Sequence, residues 1–227
     1  MSQPSPRSES PEDLQKIYSA RFAGQKAYRN NVWKILTSEF FSRWIKPSDT
    51  ILDIGCGYGE FINNVAAAKK FAMDLNPSAK NNLDPGIELL EQDCSLPWPV
   101  PPNSLDVVFT SNFFEHLRTK QTLQDTLAEA FRCLKPNGRL IALGPNIKYL
   151  PGEYWDFFDH YLPLTELSLS EVLTLTGYRV EESIARFLPY SMSQGSQPPL
   201  WTLRLFLKLP ILWRFYGRQF LVIGQKP

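Results

Sequence analysis

Ile51 to Phe61 reads ILDIGCGYGEF, and this stretch decides the fold. Apolar residues lead up to Asp53, Gly55, Gly57 and Gly59 follow at every second position, and Glu60 opens an apolar, Ala-rich run to Ala68. The pattern predicts a buried strand, a tight glycine turn and the start of a helix. Glycine has no Cβ and tolerates φ > 0, so such a turn lets backbone approach a ligand closely. The helix N-terminus behind it offers backbone N–H groups that have no partner within the helix. A dinucleotide fingerprint would space its glycines G-x-G-x-x-G and place a pyrophosphate on that helix. Here the spacing is G-x-G-x-G, with an acid two residues ahead of the first glycine. Taken alone, the stretch also fits an ordinary strand–turn–helix connection.

Downstream, Phe71 to Asp74 reads as a second strand ending in an acid, and Asp74 lies 21 residues after Asp53. An acid at the tip of the second strand can accept hydrogen bonds from both hydroxyls of a ribose. The other reading of Asp74 is an N-cap for a helix that Pro77 would start. Ile87 to Glu91 is a third strand, followed by Gln92-Asp93-Cys94-Ser95. Ser104 to Thr110 is a fourth, running into Ser111-Asn112-Phe113-Phe114-Glu115-His116-Leu117. A helix is expected over Lys120 to Leu134, with Leu123, Leu127, Phe131 and Leu134 on one face. The turn Leu134-Lys135-Pro136-Asn137-Gly138 leads into a fifth strand, Arg139 to Leu143. A helix from Ser168 to Thr176, capped by Ser168 and Glu171 and closed by Gly177, precedes a sixth strand at Tyr178 to Phe187. Arg218 to Gln225 is the candidate for a seventh. Upstream, Glu12 to Ile45 has helical spacing with a break at Gly24, and residues 1–11 are Ser/Pro-rich and expected to be disordered. Strands alternating with helices imply an α/β, doubly wound, mostly parallel sheet. We expect one domain over 12–227: N-terminal helices over 12–46, a cofactor half over 47–144, and an acceptor-side half over 145–227 with a helical insert at 189–217.

The acid and G-x-G-x-G loop together resemble the first motif of the class I S-adenosylmethionine (SAM)-dependent methyltransferases. The E-H-L segment Glu115-His116-Leu117, followed by a helix and the L-K-P-x-G turn, is similar to members acting on small molecules and lipid precursors. Five such features stand in the expected order between Ile51 and Gly144. The resemblance implies a Rossmann-like seven-stranded sheet whose last strand is antiparallel, with SAM as cofactor and S-adenosylhomocysteine as product. It implies Asp53, Gly55, Cys56, Gly57 and Gly59 around the methionine end, Asp74 and Leu75 at the ribose, Asp93 and Cys94 at the adenine, and Asn112 at the strand ends nearby. Asp93 reads equally well as a solvated loop aspartate. Some related O-methyltransferases, including ubiquinone-biosynthesis enzymes, carry E-x-x-E-H here and bind a divalent ion. Asn112 stands in place of the first carboxylate, so no metal is expected.

The chain of 227 residues has a net charge of +1, which gives no electrostatic argument for a nucleic-acid partner. Its three cysteines show no C-x-x-C spacing, which fits a reducing compartment. With no secretory leader and no apolar run of about 20 residues, a cytoplasmic location is expected. His116 and His160 are the two histidines. Either suits a general base near pH 7, and either also reads as a structural histidine. Gly144 to Leu164 holds Tyr149, Tyr154, Trp155, Phe157, Phe158 and Tyr161 and reads as an acceptor-facing loop, or as a hydrophobic cluster under a long loop. The N-terminal helices read as packing on the sheet edge, and Arg21, Tyr28 and Arg29 on them could instead help to close the pocket. Leu200 to Phe220, LWTLRLFLKLPILWRFYGRQF, combines Trp, Leu and Phe with cations and no acid. It fits peripheral contact with an anionic membrane, or a helical pair packed on the domain with its arginines snorkelling. The aromatic loop and this insert resemble bacterial methyltransferases of cell-surface polysaccharide or lipid assembly. Methyl transfer to an oxygen of a small-molecule, glycan or lipid-linked acceptor is the reading these features favour. A nicotinamide-dependent oxidoreductase and a non-catalytic membrane- or partner-binding module are the alternatives.

Overall fold

The computed structural model describes residues 26–190 and 197–227. The expected tail, the helix break at Gly24 and Arg21 lie outside the described residues. Helix α1 (Lys26–Ile35) runs through a wider π-helical turn and a 3-10 turn to Arg43. Seven strands follow, numbered in chain order: β1 (Thr50–Ile54), β2 (Lys69–Met73), β3 (Glu88–Leu90), β4 (Leu105–Ser111), β5 (Leu134–Pro145), β6 (Arg179–Ile184) and β7 (Gln219–Gln225). They form one sheet in the order β3-β2-β1-β4-β5-β7-β6. β1 pairs in parallel with both β2 and β4, whereas β7 lies antiparallel to both β5 and β6. The doubly wound, mostly parallel sheet expected from the sequence is therefore the architecture observed.

The central strands are apolar on both faces because both faces are covered. Leu52, Ile54 and Val108 join one core with Leu123 and Leu127 of α3 (Lys120–Cys133) and Leu169 and Leu173 of α4 (Glu166–Thr176). Ile51, Val107 and Phe109 point the other way, into a core with Trp33 of α1 and Phe61 of α2 (Glu60–Asn64). Phe206 of α5 (Leu200–Lys208) and Trp213 of α6 (Pro210–Tyr216) close that second core. Pro210 opens the second of these helices, dividing the segment into the helical pair.

Two helix boundaries differ from expectation. The helix after the glycine turn stops at Asn64 rather than near Ala68. Asn64 Nδ2 donates to Glu60 O at 2.7 Å and to Asn30 Oδ1 at 2.6 Å, and Asn63 Nδ2 donates to Asn82 O at 2.8 Å. These side-chain bonds compete with a further turn, and Val65 is extended. The cap of α4 sits three residues earlier than Ser168. Thr165 is the N-cap, and Ser168 is its N3 partner in a reciprocal capping box.

Candidate functional site

The strand order reverses between β1 and β4, and in an open parallel sheet the crevice at such a point takes the ligand. β1 delivers Asp53 to that edge. The chain then turns through Gly55, Gly57 and Gly59, with φ of 69°, 53° and 73°. A Cβ at Gly55 would lie 2.2 Å from Phe113 Cδ2, so sterics require glycine there as well as the left-handed backbone. The turn is pinned to β2. Gly55 N–H donates to Met73 O at 2.8 Å, and Gly57 N–H donates to Asp74 Oδ2 at 2.9 Å. Asp74 Oδ1 accepts from Asn76 N–H at 2.9 Å. The capping alternative for Asp74 falls instead to Asn76, which accepts from Ser78 N–H with Pro77 at the first helical position.

Asp53, Gly55, Cys56, Gly57 and Asn112 line one cleft, together with Arg29, Glu115, Phe157, His116 and His160. Gly59, Asp74, Leu75, Asp93 and Cys94 do not form its walls. Gly59 caps α2 behind the turn, and Leu75 is exposed beyond β2. The Asp93 carboxylate accepts from Ser95 N–H and Oγ–H, both at 2.8 Å. The Cys94 thiol is buried against Thr126 Oγ1 on α3, 3.2 Å away, so only its backbone is left for a ligand. Burial pushes the Cys94 thiol up to about 12, which keeps it neutral.

Three acids crowd the turn. Burial raises Asp53 well above the usual carboxylate range, and the charges of Asp74 and Glu60 raise it further. Burial also raises Asp74, against hydrogen bonds from Asn76, Gly57 and Leu75 that lower it. It raises Glu60 too, against the Arg29 guanidinium, whose Nε is 3.0 Å from Glu60 Oε1. Such a pocket favours a cation. Across it, Asn112 sits in the left-handed region at φ 50°, a strained conformation of the kind that clusters at ligand sites. Its Nδ2 donates to Ser111 Oγ at 3.1 Å, while its Oδ1 is buried and accepts no hydrogen bond.

The far wall comes from two distant segments. Tyr161 N–H and Leu162 N–H donate to Glu115 O at 2.8 and 3.0 Å, bolting the aromatic loop onto the E-H-L segment. His116 Nδ1 is 2.8 Å from Asp159 O and 3.2 Å from Asp159 Oδ2, and His160 Nδ1 is 2.8 Å from Tyr154 O. A carbonyl oxygen only accepts, so each Nδ1 carries a proton and Nε2 is the basic nitrogen of each ring. Burial pulls the His116 pKa down, but the hydrogen bond to Asp159 and the charges of Glu115 and Asp159 outweigh it, and the net shift is upward. The two rings meet edge to face, 5.1 Å apart. Sequence reasoning singled out both histidines but missed Asp159 as the partner of His116, because it lies 43 residues away. Donor atoms of Glu115, His116 and His160 all fall within 4.8 Å of one another. Two imidazoles and a carboxylate are a set that divalent metals use, so the carboxylate missing at Asn112 does not by itself remove a metal site. The six aromatics of the loop divide. Phe157 stacks on His160 and lines the cleft, Tyr154 is fully buried with its hydroxyl donating to Leu162 O at 2.6 Å, and Trp155 and Phe158 face outward.

The sequence model of the methyltransferase domain family matches residues 52–142, the run that holds the glycine turn, Asp74, Asn112 and His116. This stretch matches a methyltransferase domain. The match covers the glycine turn and so displaces the nicotinamide reading. A methyltransferase of Mycolicibacterium smegmatis named as SAM-dependent is 26% identical over 144 residues, 60% of this chain and 54% of that protein. The chain spans about half the length of the curated relatives it matches. A SAM-dependent methyltransferase from Archaeoglobus fulgidus superposes with a TM-score of 0.67 at 19% identity, covering 94% of this chain and 100% of that one. A Haloferax volcanii protein solved in complex with the Trm112 methyltransferase activator gives 0.69 at 18% identity, covering 96% and 98%. At these identities the solved structures show a shared fold. Among the described residues no helix is long and apolar enough to cross a membrane.

Proposed function

We propose that this protein moves a methyl group from SAM to an oxygen of a small-molecule, glycan or lipid-linked acceptor, working in the cytoplasm with peripheral membrane contact through residues 200–220. The observation that carries this reading is that the glycine turn with Asp53 and the His116–Asp159 pair face each other across one cleft. Bound SAM supplies a methyl group already activated on a sulfonium.

The crowded acids Asp53, Glu60 and Asp74 favour the positively charged methionine end, and Cys56 and the three glycines let backbone approach it. Asp74, at the tip of β2, accepts ribose hydroxyls, with Leu75 beside it. Asp93 and the Cys94 backbone form the nucleoside side, and the buried Asn112 Oδ1 accepts an N–H. His116 Nε2 takes the proton that an acceptor hydroxyl loses, and Asp159 stabilises the imidazolium so formed. His160, stacked on Phe157, flanks the acceptor.

A second reading rests on the convergence of Glu115, His116 and His160. In it the three side chains hold a divalent ion that lowers the pKa of the acceptor hydroxyl. The test is transfer of label from methyl-labelled SAM into a source-cell extract, followed by phase partition, with and without a chelator. The proposal expects His116-dependent label that a chelator leaves intact. Loss of label with chelator, restored by one divalent metal, favours the second reading. No His116-dependent label in any fraction contradicts both.

A further inference from the structure

The most exposed apolar surface lies away from the cleft. Of the twelve large hydrophobic side chains exposed among the described residues, six fall between Trp201 and Tyr216. α5 and α6 repeat one outward pattern. Trp201, Arg204, Leu205 and Lys208 share the exposed face of α5 by three- and four-residue spacing, and Ile211, Arg214 and Phe215 share that of α6. Phe206, Leu207 and Trp213 face inward and are buried. The packing of these helices therefore uses only one side of each, and the other side sets aromatic and aliphatic groups beside cations.

The charge that α5 and α6 themselves carry is of one sign. No Asp or Glu occurs between Gln197 and Arg218. Arg204 is paired with Glu39 at 2.7 Å, whereas no described acid pairs with Lys208 or Arg214. Beside α6, a groove between Ile184, Arg186, Ile211 and Phe215 opens on the surface. A second copy of the chain would set Lys208 and Arg214 against the same cations, and the acid on this face, Glu39, is already paired with Arg204. A lipid leaflet offers both an apolar layer for Trp201 and Phe215, which are 63% and 69% exposed, and anionic headgroups for Lys208 and Arg214.

We propose that α5 and α6 dock the protein onto the surface of an anionic bilayer, with Trp201, Ile211 and Phe215 entering the interface and Lys208 and Arg214 pairing with lipid phosphates. This names the partner surface for the membrane contact proposed above and does not depend on the chemistry of the acceptor.

The experiment is co-sedimentation of the full chain with vesicles of phosphatidylcholine alone and of phosphatidylcholine mixed with phosphatidylglycerol. Binding is expected only to the anionic vesicles and should weaken with salt. Lys208→Ala and Arg214→Ala should each weaken it about fivefold, and Trp201→Ala with Phe215→Ala about tenfold or more together. All four side chains are exposed, so the variants should keep the wild-type unfolding midpoint and the wild-type affinity for S-adenosylhomocysteine. Absence of binding to anionic vesicles, or binding indifferent to these substitutions, overturns the proposal. So does self-association that the same substitutions abolish, which would make this face a contact between copies. Vesicle binding by a wild-type protein that does not bind S-adenosylhomocysteine would sink the methyltransferase reading and leave the docking surface standing.

Discussion

The two walls of the cleft are built differently. The glycine-turn wall comes from one short run, Asp53 to Glu60, tied to the neighbouring strand by backbone bonds to Met73 and by Asp74. The histidine wall is assembled from Glu115-His116 and Asp159-His160, joined by backbone bonds from Tyr161 and Leu162. A local wall depends on backbone conformation and is broken by adding a single carbon. An assembled wall depends on side-chain pairs and is broken by changing one partner's charge. The acids of the first wall favour a cation, and the second wall sets the Nε2 of His116 and His160 in the same cleft, the division that the proposed transfer to a hydroxyl uses.

The largest expected effect is on the assembled wall. His116→Gln should lower kcat by about 10²- to 10⁴-fold while leaving the calorimetric affinity for S-adenosylhomocysteine unchanged. Equal losses of binding and turnover would show that His116 only shapes the cleft. Asp159→Asn sharpens the same point through pH. Because Asp159 raises His116, the wild-type rate should climb as pH rises through that raised value, and the variant's climb should move to lower pH. The stability contribution of the pair runs the opposite way. It is fully present below the ordinary histidine pKa and is lost as pH rises through the raised one.

On the local wall, Gly55→Ala should be next. It forces an L-residue into φ 69° and drives a Cβ into the Phe113 ring. About 1–2 kcal/mol of conformational strain and about 1–3 kcal/mol of overpacking should both appear in urea unfolding, with cofactor affinity lost as well. Asn112→Ala should cost roughly tenfold in S-adenosylhomocysteine affinity, since it removes a buried acceptor, and calorimetry measures it.

The smallest effect is proton linkage. Burial holds Asp53, Asp74 and Glu60 above the usual carboxylate range. Stability of the ligand-free protein therefore falls as pH rises from the ordinary carboxylate pKa through these raised values. A cation at Asp53 opposes that loss, so binding should release protons and tighten with rising pH across the same window. Titrations in two buffers of different ionisation enthalpy would read the release.

What the sequence could reveal follows the same division. The strand, the positive-φ turn and Asp53 were legible because the glycines that permit the turn are adjacent to the acid it presents. The doubly wound, mostly parallel sheet followed from the strand–helix alternation, and the antiparallel last strand from the family resemblance. The length of α2 was not legible, because Asn63 and Asn64 end it through bonds to residues as distant as Asn82. Nor was the Asp159–His116 pair, because nothing local to either residue encodes a contact across 43 positions. The loop's aromatics read either as cleft walls or as a buried cluster, and Tyr154, with its hydroxyl bonded to Leu162 O, belongs to the second group while Phe157 belongs to the first. Aromatic content does not say which ring turns inward.

The most direct test of the account is titration of S-adenosylhomocysteine into wild-type protein and Asp53→Asn by calorimetry. We expect saturable one-site binding by the wild type, with proton release, and a variant in which both the affinity and the release are largely lost. Wild-type protein that fails to bind, or a variant that binds with the same affinity and the same proton release, would contradict the assignment of the Asp53 turn as the cofactor site.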